Sequence, residues 1–251
     1  ACSKPGQEAY CAASKNPGGS QEISDGTKNR LIGRGSLLPL MTPYRLLQPA
    51  SFRMPAERSY AMRILMLGNS FTSTNGMPQM LAELTGAEVV PHTRGGARLS
   101  EHLNPAAKLG AQTQAALRDT KWDYVVLQEM SHGPITSPKS FFSSVERLCR
   151  QIRGNGAVPV LYATWAYRKD GAKLASKGWN YDEMACGLSE AYRKAAQENH
   201  SLLADVGRRF YELSESQELY AADGVHPNES GSRIAARLLS EVILQHKENP
   251  L

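Results

Sequence analysis

From residue 62 onwards, short apolar runs alternate with segments whose apolar residues recur at helical spacing. The apolar runs are residues 63–67, 87–91, 122–127, 157–163 and 201–206. The main segments with helical spacing are residues 77–84, 109–118, 138–153, 181–199 and about 227–245. Short apolar strands that lack a polar alternation are typical of parallel sheets with both faces buried. The sequence therefore predicts an α/β domain of three layers, with a five-stranded parallel sheet between two layers of helices.

The first 61 residues differ from this pattern in composition and charge. Residues 1–30 are rich in Ser, Gly, Lys, Asn and Gln, so they cannot bury enough apolar surface to offset the entropy of ordering. Residues 1–61 hold eight Lys and Arg against four Asp and Glu, whereas residues 62–251 hold 21 against 20. We predict a poorly ordered N-terminal extension or leader over residues 1–61 and a folded domain over residues 62–247.

The net charge of +5 is thus concentrated outside the predicted domain. A balanced domain lacks the basic face that a phosphate backbone needs, so we expect no nucleic-acid partner. No apolar stretch approaches the roughly 18 residues of a membrane-spanning helix, and we expect no membrane partner. Neither a signal peptide nor a metal-ligand spacing of the cysteines is recognisable, so we expect a cytoplasmic location and no metal. The sequence does not indicate an oligomeric state.

Polar residues follow the predicted strands, at the edge where such sheets bind ligands. Residues 68–72 (GNSFT) follow the first strand, and Ser70 would start the next helix with its hydroxyl at the sheet edge. Helix N-terminal amides near Ser70 could stabilise an oxyanion. The same residues also fit an ordinary strand-to-helix turn with a capping side chain.

Three later loops carry further polar groups. Gly95 and Gly96 follow the second strand and would let backbone N–H groups approach a ligand. Gln128 follows the third strand and can donate from its side-chain amide. Asp223 and His226 stand three apart before the last helix, where a carboxylate could fix the imidazole tautomer and leave Nε2 as a base. Taken singly, each loop is also a plausible turn.

In this order, the four loops resemble those of the SGNH, or GDSL-like, hydrolase family over about residues 62–246. The resemblance implies a flavodoxin-like sheet, a catalytic domain that needs no cofactor, and an acyl-enzyme mechanism. The nucleophile would be Ser70, with Asp223 and His226 completing the triad. The oxyanion would be held by the backbone of Ser70 and of Gly96, which we prefer to Gly95.

The sequence departs from the family pattern at two places. Asn69 stands where an acidic residue usually precedes the serine. The Gly-x-Asn-Asp block is absent, and residues 128–131 (QEMS) stand in its place. The family uses a side-chain amide here, so we assign that role to Gln128, the one amide at the strand end.

The substrate is indicated by residues around these loops. Trp165 follows the fourth strand and could stack on a sugar ring, and Arg94 and Arg98 flank the glycines and could pair with a carboxylate. We assign substrate binding to a set of residues near the predicted edge: Asn69, Arg94, Gly95, Glu129 and Trp165. The sequence predicts a serine esterase for short acyl groups, acetyl foremost, on a carbohydrate or other small polar molecule.

Three alternatives stay open at this point. Residues 68–74 could cradle a phosphate in a flavodoxin-like module that binds phosphates or nucleotides. The chain could be a catalytically silent relative that binds carbohydrate. It could also transfer the acyl group to an alcohol rather than to water.

Overall fold

The computed structural model describes residues 62–250, and the predictions for residues 1–61 lie outside these described residues. Five strands form one sheet in which every neighbouring pair is parallel, in the order β2-β1-β3-β4-β5. The strands are β1 (Arg63–Gly68), β2 (Glu88–Thr93), β3 (Tyr124–Leu127), β4 (Val158–Tyr162) and β5 (Leu202–Ala204). This order is the flavodoxin-like arrangement, and it confirms the predicted fold class.

Helices fill the connections between the strands. Within residues 62–250 they are α1 (Ser70–Ser73), α2 (Met77–Thr85), α3 (Leu99–His102), α4 (Lys108–Asp119), α5 (Gly133–Thr136), α6 (Pro138–Asn155), α7 (Ala172–Ser176), α8 (Tyr181–Glu198), α9 (Val206–Leu213) and α10 (Glu229–Glu248). Helix α10 begins later than predicted, because the side chain of Asn228 caps it by accepting the Gly231 N–H at 2.9 Å. Pro227 therefore precedes the helix rather than opening it.

Two apolar layers sandwich the sheet, because successive side chains of a strand point to opposite faces. On one face, Ile64 and Met66 of β1 pack in a buried cluster with residues of α2, α9 and α10. On the other face, Leu65 and Leu67 pack with residues of α4, α6 and α8. The described residues thus form the three layers that the alternating pattern predicts.

The sheet order places a crevice beside β1. The chain leaves β1 towards one edge of the sheet to form β2, and leaves β2 to form β3 on the other side of β1. In open α/β sheets, ligands bind beyond the carboxyl ends of the strands at such a reversal. The turn that follows β1 lies at this point.

None of the helices within residues 62–250 combines the length and the apolar character needed to cross a membrane.

Candidate active site

The turn after β1 is built around a glycine that no other residue could replace without movement. A Cβ atom at Gly68 would lie 2.5 Å from Thr72 Oγ1 and 2.7 Å from Gln128 Oε1. Asn69 then caps α1, since its side-chain oxygen accepts the Phe71 N–H at 3.0 Å. Ser70 follows as the first residue of α1, as predicted. Its N–H therefore has no acceptor within that helix.

Three side chains that the sequence analysis singled out meet at this turn. Ser70 Oγ lies 2.9 Å from His226 Nε2, and His226 Nδ1 lies 2.5 Å from Asp223 Oδ2. The other carboxylate oxygen of Asp223 accepts the N–H groups of Val225 and His226, at 2.9 Å and 3.0 Å. The turn 223–226 therefore fixes the carboxylate against the imidazole through its own backbone.

The protonation of this unit follows from its contacts. Partial burial raises the pKa of Asp223, but the hydrogen bonds from the His226 side chain and from two backbone N–H groups outweigh it, so the pKa lies below the ordinary value. The carboxylate is thus ionised at neutral pH and favours the His226 tautomer that carries its proton on Nδ1. That tautomer leaves Nε2 with a free lone pair towards the Ser70 hydroxyl.

An aromatic stack supports the histidine. The edge of the His226 ring meets the Phe71 ring, with centroids 5.4 Å apart. Phe71 stacks on Trp165 at 4.6 Å, and Trp165 stacks on Phe210 at 4.1 Å. The indole N–H of Trp165 donates to the Val225 carbonyl at 3.1 Å. Trp165 thus supports the loop that carries the histidine.

This position corrects the prediction that Trp165 stacks on a sugar. Only 1% of its surface is exposed, and both faces of its ring are covered by the rings of Phe71 and Phe210. No face of the indole is left for a ligand. A buried tryptophan at a strand end looks the same in a sequence as an exposed one.

The glycines after β2 form a tight turn. Ala97 N–H donates to the Arg94 carbonyl at 2.9 Å, and Gly96 has a positive φ of 68° that favours glycine. The turn is held against the turn that carries Ser70, since the Asn69 side-chain amide donates to the Ala97 carbonyl at 3.0 Å. Within residues 62–250, neither the Ser70 N–H nor the Gly96 N–H donates a hydrogen bond.

Arg94 and Asn69 are both committed to contacts within the protein. The Arg94 guanidinium binds both carboxylate oxygens of Glu101, at 2.6 Å and 2.7 Å. This pair neutralises the charge that the sequence analysis offered to a substrate, and it lowers the pKa of Glu101. Asn69 is buried and uses both ends of its side-chain amide on the backbone. Neither side chain therefore supports the predicted role in substrate binding.

The geometry of Gln128 also departs from its predicted role. Its Oε1 accepts the Asn69 N–H and the Thr72 hydroxyl, both at 3.0 Å, so the oxygen must face the turn that carries Ser70. Its amide nitrogen donates to the Glu129 carbonyl. The nitrogen that an oxyanion would need thus points away from Ser70. Gln128 instead stabilises the turn that carries Ser70 through these two hydrogen bonds.

Glu129 is a buried carboxylate that binds the first residue of α3. Its oxygens accept the N–H groups of Leu99 and Met130, at 3.1 Å and 2.8 Å. Burial raises its pKa, and these two N–H groups act in the opposite direction. Only 3% of the Glu129 surface is exposed, so it does not contact a substrate as predicted. Its bond to the Leu99 N–H instead orders the start of α3.

A hydrogen-bonded tie between the loops of Ser70 and His226 was not predicted from the sequence. Asn75 has a positive φ of 57°, and its side-chain amide donates to the Pro227 carbonyl at 3.0 Å and to Ser232 Oγ at 2.9 Å. The bond to Pro227 joins the segment after Ser70 to the residue after His226. The Asn-Gly pair at residues 75–76 was the available signal, because Asn and Gly are the residues that tolerate positive φ.

Comparison with known proteins identifies the family. No family model and no curated protein matches the chain. Among solved structures, a candidate SGNH hydrolase from Slackia heliotrinireducens is 54% identical, with 73% of this chain and 99% of that chain covered and a TM-score of 0.70. A candidate GDSL-like lipase from Parabacteroides merdae is 15% identical, with 72% and 95% covered and a TM-score of 0.56. An acetylxylan esterase from Geobacillus stearothermophilus is 16% identical, with 72% and 94% covered and a TM-score of 0.54.

The second and third similarities show the fold alone, whereas the first extends to the sequence. More than half of the aligned residues are identical, and the alignment takes in nearly the whole of the Slackia protein. The chain therefore belongs to the SGNH hydrolase family.

Proposed function

We propose that the protein is a serine esterase that removes short acyl groups, acetyl foremost, from a carbohydrate or another small polar alcohol. One observation carries the proposal: Ser70, His226 and Asp223 form an unbroken line of hydrogen bonds, at 2.9 Å and 2.5 Å. A hydroxyl, an imidazole and an ionised carboxylate in this order are the parts of a nucleophile with its general base.

The reaction follows from these contacts. His226 Nε2 takes the Ser70 proton as Oγ attacks the ester carbonyl, and Asp223 stabilises the imidazolium that forms. The imidazolium then protonates the leaving alcohol oxygen, which leaves an acyl-serine. Water attacks the acyl-serine with His226 again as the base, and release of the acid restores the Ser70 hydroxyl.

Two backbone donors are proposed for the oxyanion. The N–H groups of Ser70 and Gly96 make no hydrogen bond within residues 62–250, and the bond from Asn69 to Ala97 ties their loops together. Developing charge on the carbonyl oxygen would be stabilised by such fixed donors. The amide nitrogen of Gln128 is not included, because it donates to the Glu129 carbonyl.

The surface supports a short acyl group. Among residues 62–250, Leu84 in α2 is the one large apolar side chain classed as exposed. A long acyl chain needs apolar protein surface to cover it. Without such a surface, the enzyme would lose about 0.8 kcal/mol of binding free energy for each CH₂ group that stays in water. The similar fold of an acetylxylan esterase is consistent with an acetyl group on a sugar.

The hydroxyls of residues 70–74 disfavour the phosphate-binding alternative. Thr72 Oγ1 donates to Gln128 Oε1 at 3.0 Å and is fully buried. Thr74 Oγ1 donates to the Ser70 carbonyl at 2.5 Å, and Ser70 Oγ lies against His226. A phosphate-cradling loop would direct these groups outwards.

The test is the replacement Ser70→Ala, assayed with 4-nitrophenyl acetate and acetylated xylooligosaccharides. We expect kcat/KM to fall by at least about 10³-fold with the fold unchanged by circular dichroism. Ser73→Ala is the matched control, since its hydroxyl lies on the same short helix at 3.5 Å from the Asn69 carbonyl and should be dispensable. Rates should fall from the acetate to the butyrate and octanoate esters.

Two outcomes would overturn the proposal. Full activity in the Ser70→Ala variant would remove the nucleophile, and sugar binding without turnover by the wild type would favour the silent relative. Turnover that gives a new ester in the presence of an added alcohol, with little free acid, would instead identify acyl transfer.

A further inference from the structure

A cluster of aromatic and cationic side chains lies beside the proposed oxyanion loop. The His132 ring makes T-shaped contacts with Trp179 and with Tyr167, with ring centroids 5.3 Å and 6.4 Å apart. Trp179 stacks on Tyr167 at 6.1 Å, and Lys177 Nζ lies 5.8 Å from the centre of the Trp179 ring. The Tyr167 hydroxyl is fixed by Ser131 Oγ at 2.9 Å. These groups are therefore ordered by contacts with one another.

The cluster lies at the same edge of the sheet as the triad. His132 follows β3, and Tyr167 follows β4 in the connection that carries Trp165. That connection also touches the catalytic loop, since the Arg168 N–H donates to the Gly224 carbonyl at 2.8 Å. The cluster and Ser70 therefore share the carboxyl edge of the sheet.

Positive charge dominates around His132. The pKa of His132 is lowered by burial and then by the charges of Lys177, Arg98 and Lys173. Arg98 stands two residues after Gly96 and is half-buried. Within the part of the chain that the structure describes, neither Arg98 nor the two lysines form a salt bridge, whereas Arg94 and Arg168 of the neighbouring loops pair with Glu101 and Asp170.

Nearby carboxylates do not neutralise the cluster. Glu101 is taken by Arg94, and Glu129 is buried against two backbone N–H groups. Glu183 and Trp179 both line a cleft of about 260 Å³, and Glu183 is the one acidic residue in its lining. The cations near His132 thus outnumber the free carboxylates, which favours a negatively charged ligand.

We propose that Arg98, His132 and Lys177 form a subsite for a carboxylate on the alcohol part of the ester, with Trp179 as its aromatic wall. This inference rests on the proposed esterase function and narrows its substrate to esters of acidic alcohols. A guanidinium presents a planar pair of N–H donors that matches a carboxylate, and an ammonium adds charge without that geometry.

The experiment compares two esters that differ in one charge: 4-acetoxybenzoate and its methyl ester. For the wild type we expect a higher kcat/KM with the anionic ester. In Arg98→Gln and Lys177→Gln, the ratio of anionic to neutral kcat/KM should fall by about three- to fivefold each, and by about tenfold in the double variant. Glu183→Gln should raise the ratio. Added salt should lower it in the wild type more than in the double variant.

The matched control is Lys247→Gln, because Lys247 is an exposed lysine in the last turn of α10 and should leave the ratio unchanged. A wild type without preference for the anionic ester, or variants that lose both rates equally, would overturn the subsite while the esterase proposal stands. If neither ester is turned over, the esterase proposal fails, and calorimetric titration with 4-hydroxybenzoate and its methyl ester decides the subsite. Tighter binding of the anion that the double variant abolishes would support the subsite, and equal or absent binding would overturn it.

Discussion

The side-chain amide of Asn69 donates to the carbonyl of Ala97 at 3.0 Å, and this bond joins the turn after β1 to the turn after β2. The same side chain caps α1 by accepting the Phe71 N–H. One buried residue therefore sets both the orientation of Ser70 and the distance between Ser70 and Gly96. In our proposal this is the spacing of the two oxyanion donors.

The replacement Asn69→Asp should separate these two tasks. An aspartate keeps an oxygen for the Phe71 N–H but loses the N–H that binds Ala97, and its second oxygen would face a carbonyl. We expect kcat to fall by about 10- to 100-fold with little change in KM, because a displaced oxyanion donor acts on the transition state. Steady-state kinetics with 4-nitrophenyl acetate measures both constants.

The matched control is Asn155→Asp. Asn155 is also buried, accepts the Trp122 N–H at 3.2 Å and donates to the carbonyls of Leu117 and Thr120, but it lies at the opposite edge of the sheet. It should lose stability without losing kcat. If both variants kept the wild-type kcat, the bond from Asn69 to Ala97 would have no role in the reaction.

A second prediction concerns the tautomer of His226. In Asp223→Asn the new side-chain NH₂ would face Nδ1 and favour a proton on Nε2, which then points a donor at Ser70 instead of a lone pair. We expect kcat to fall by about 10³- to 10⁴-fold, as expected when a base holds the wrong tautomer. Asp170→Asn is the control, because that carboxylate is exposed and pairs with Arg168 on the neighbouring loop. Comparable losses in the two variants would argue against a specific role for Asp223.

The sheet could be predicted because its signal is local. Strands β1, β3 and β4 are short apolar runs buried on both faces, and the residues just after parallel strands must meet at one edge. That rule placed Ser70 and Gln128 at this edge, whereas Asp223 and His226 follow no strand directly and were assigned to the site by the resemblance to SGNH hydrolases. Helix α9 was missed, because its residues follow directly on β5 and only Asp205 stands between them as a cap.

The roles of the side chains around the triad could not be predicted in this way. Whether Gln128 turns its nitrogen or its oxygen to Ser70 depends on the Asn69 N–H, which lies 59 residues away in the chain. Trp165 is covered by Phe71 and by Phe210 of a helix that the sequence analysis did not include. Hydrogen-bond partners and ring partners of this kind are set by the packed fold rather than by spacing along the chain.

A third prediction tests the position of Trp165. Trp165→Phe keeps an aromatic ring between Phe71 and Phe210 but removes the N–H that binds the Val225 carbonyl. We expect the free energy of unfolding to fall by about 1 to 2 kcal/mol, and KM for acetylated xylooligosaccharides to stay unchanged. Urea unfolding and steady-state kinetics measure the two effects. A selective rise in KM for the sugar ester would instead restore the stacking role.

The fourth prediction concerns the stability of the fold in acid. His102 in α3 is fully buried, and its Nδ1 lies 2.8 Å from Thr113 Oγ1. Burial lowers its pKa from 6.5 to about 4. Between pH 6.5 and about pH 4, His102 therefore binds a proton in the unfolded chain but not in the folded chain. The stabilisation that the neutral, buried His102 provides is fully present above pH 6.5 and is lost as the pH falls towards 4.

His102→Gln should reveal this dependence, because glutamine can keep a hydrogen bond to Thr113 and does not titrate. Between pH 7.5 and about pH 5, we expect the free energy of unfolding of the wild type to fall by about 2 kcal/mol more than that of the variant. Burial also lowers the pKa of His92 and of His132, so both proteins should lose some stability in acid, and only the difference between them reports on His102. Urea unfolding at the two pH values measures that difference, and parallel losses in the two proteins would show that His102 takes up no proton on unfolding.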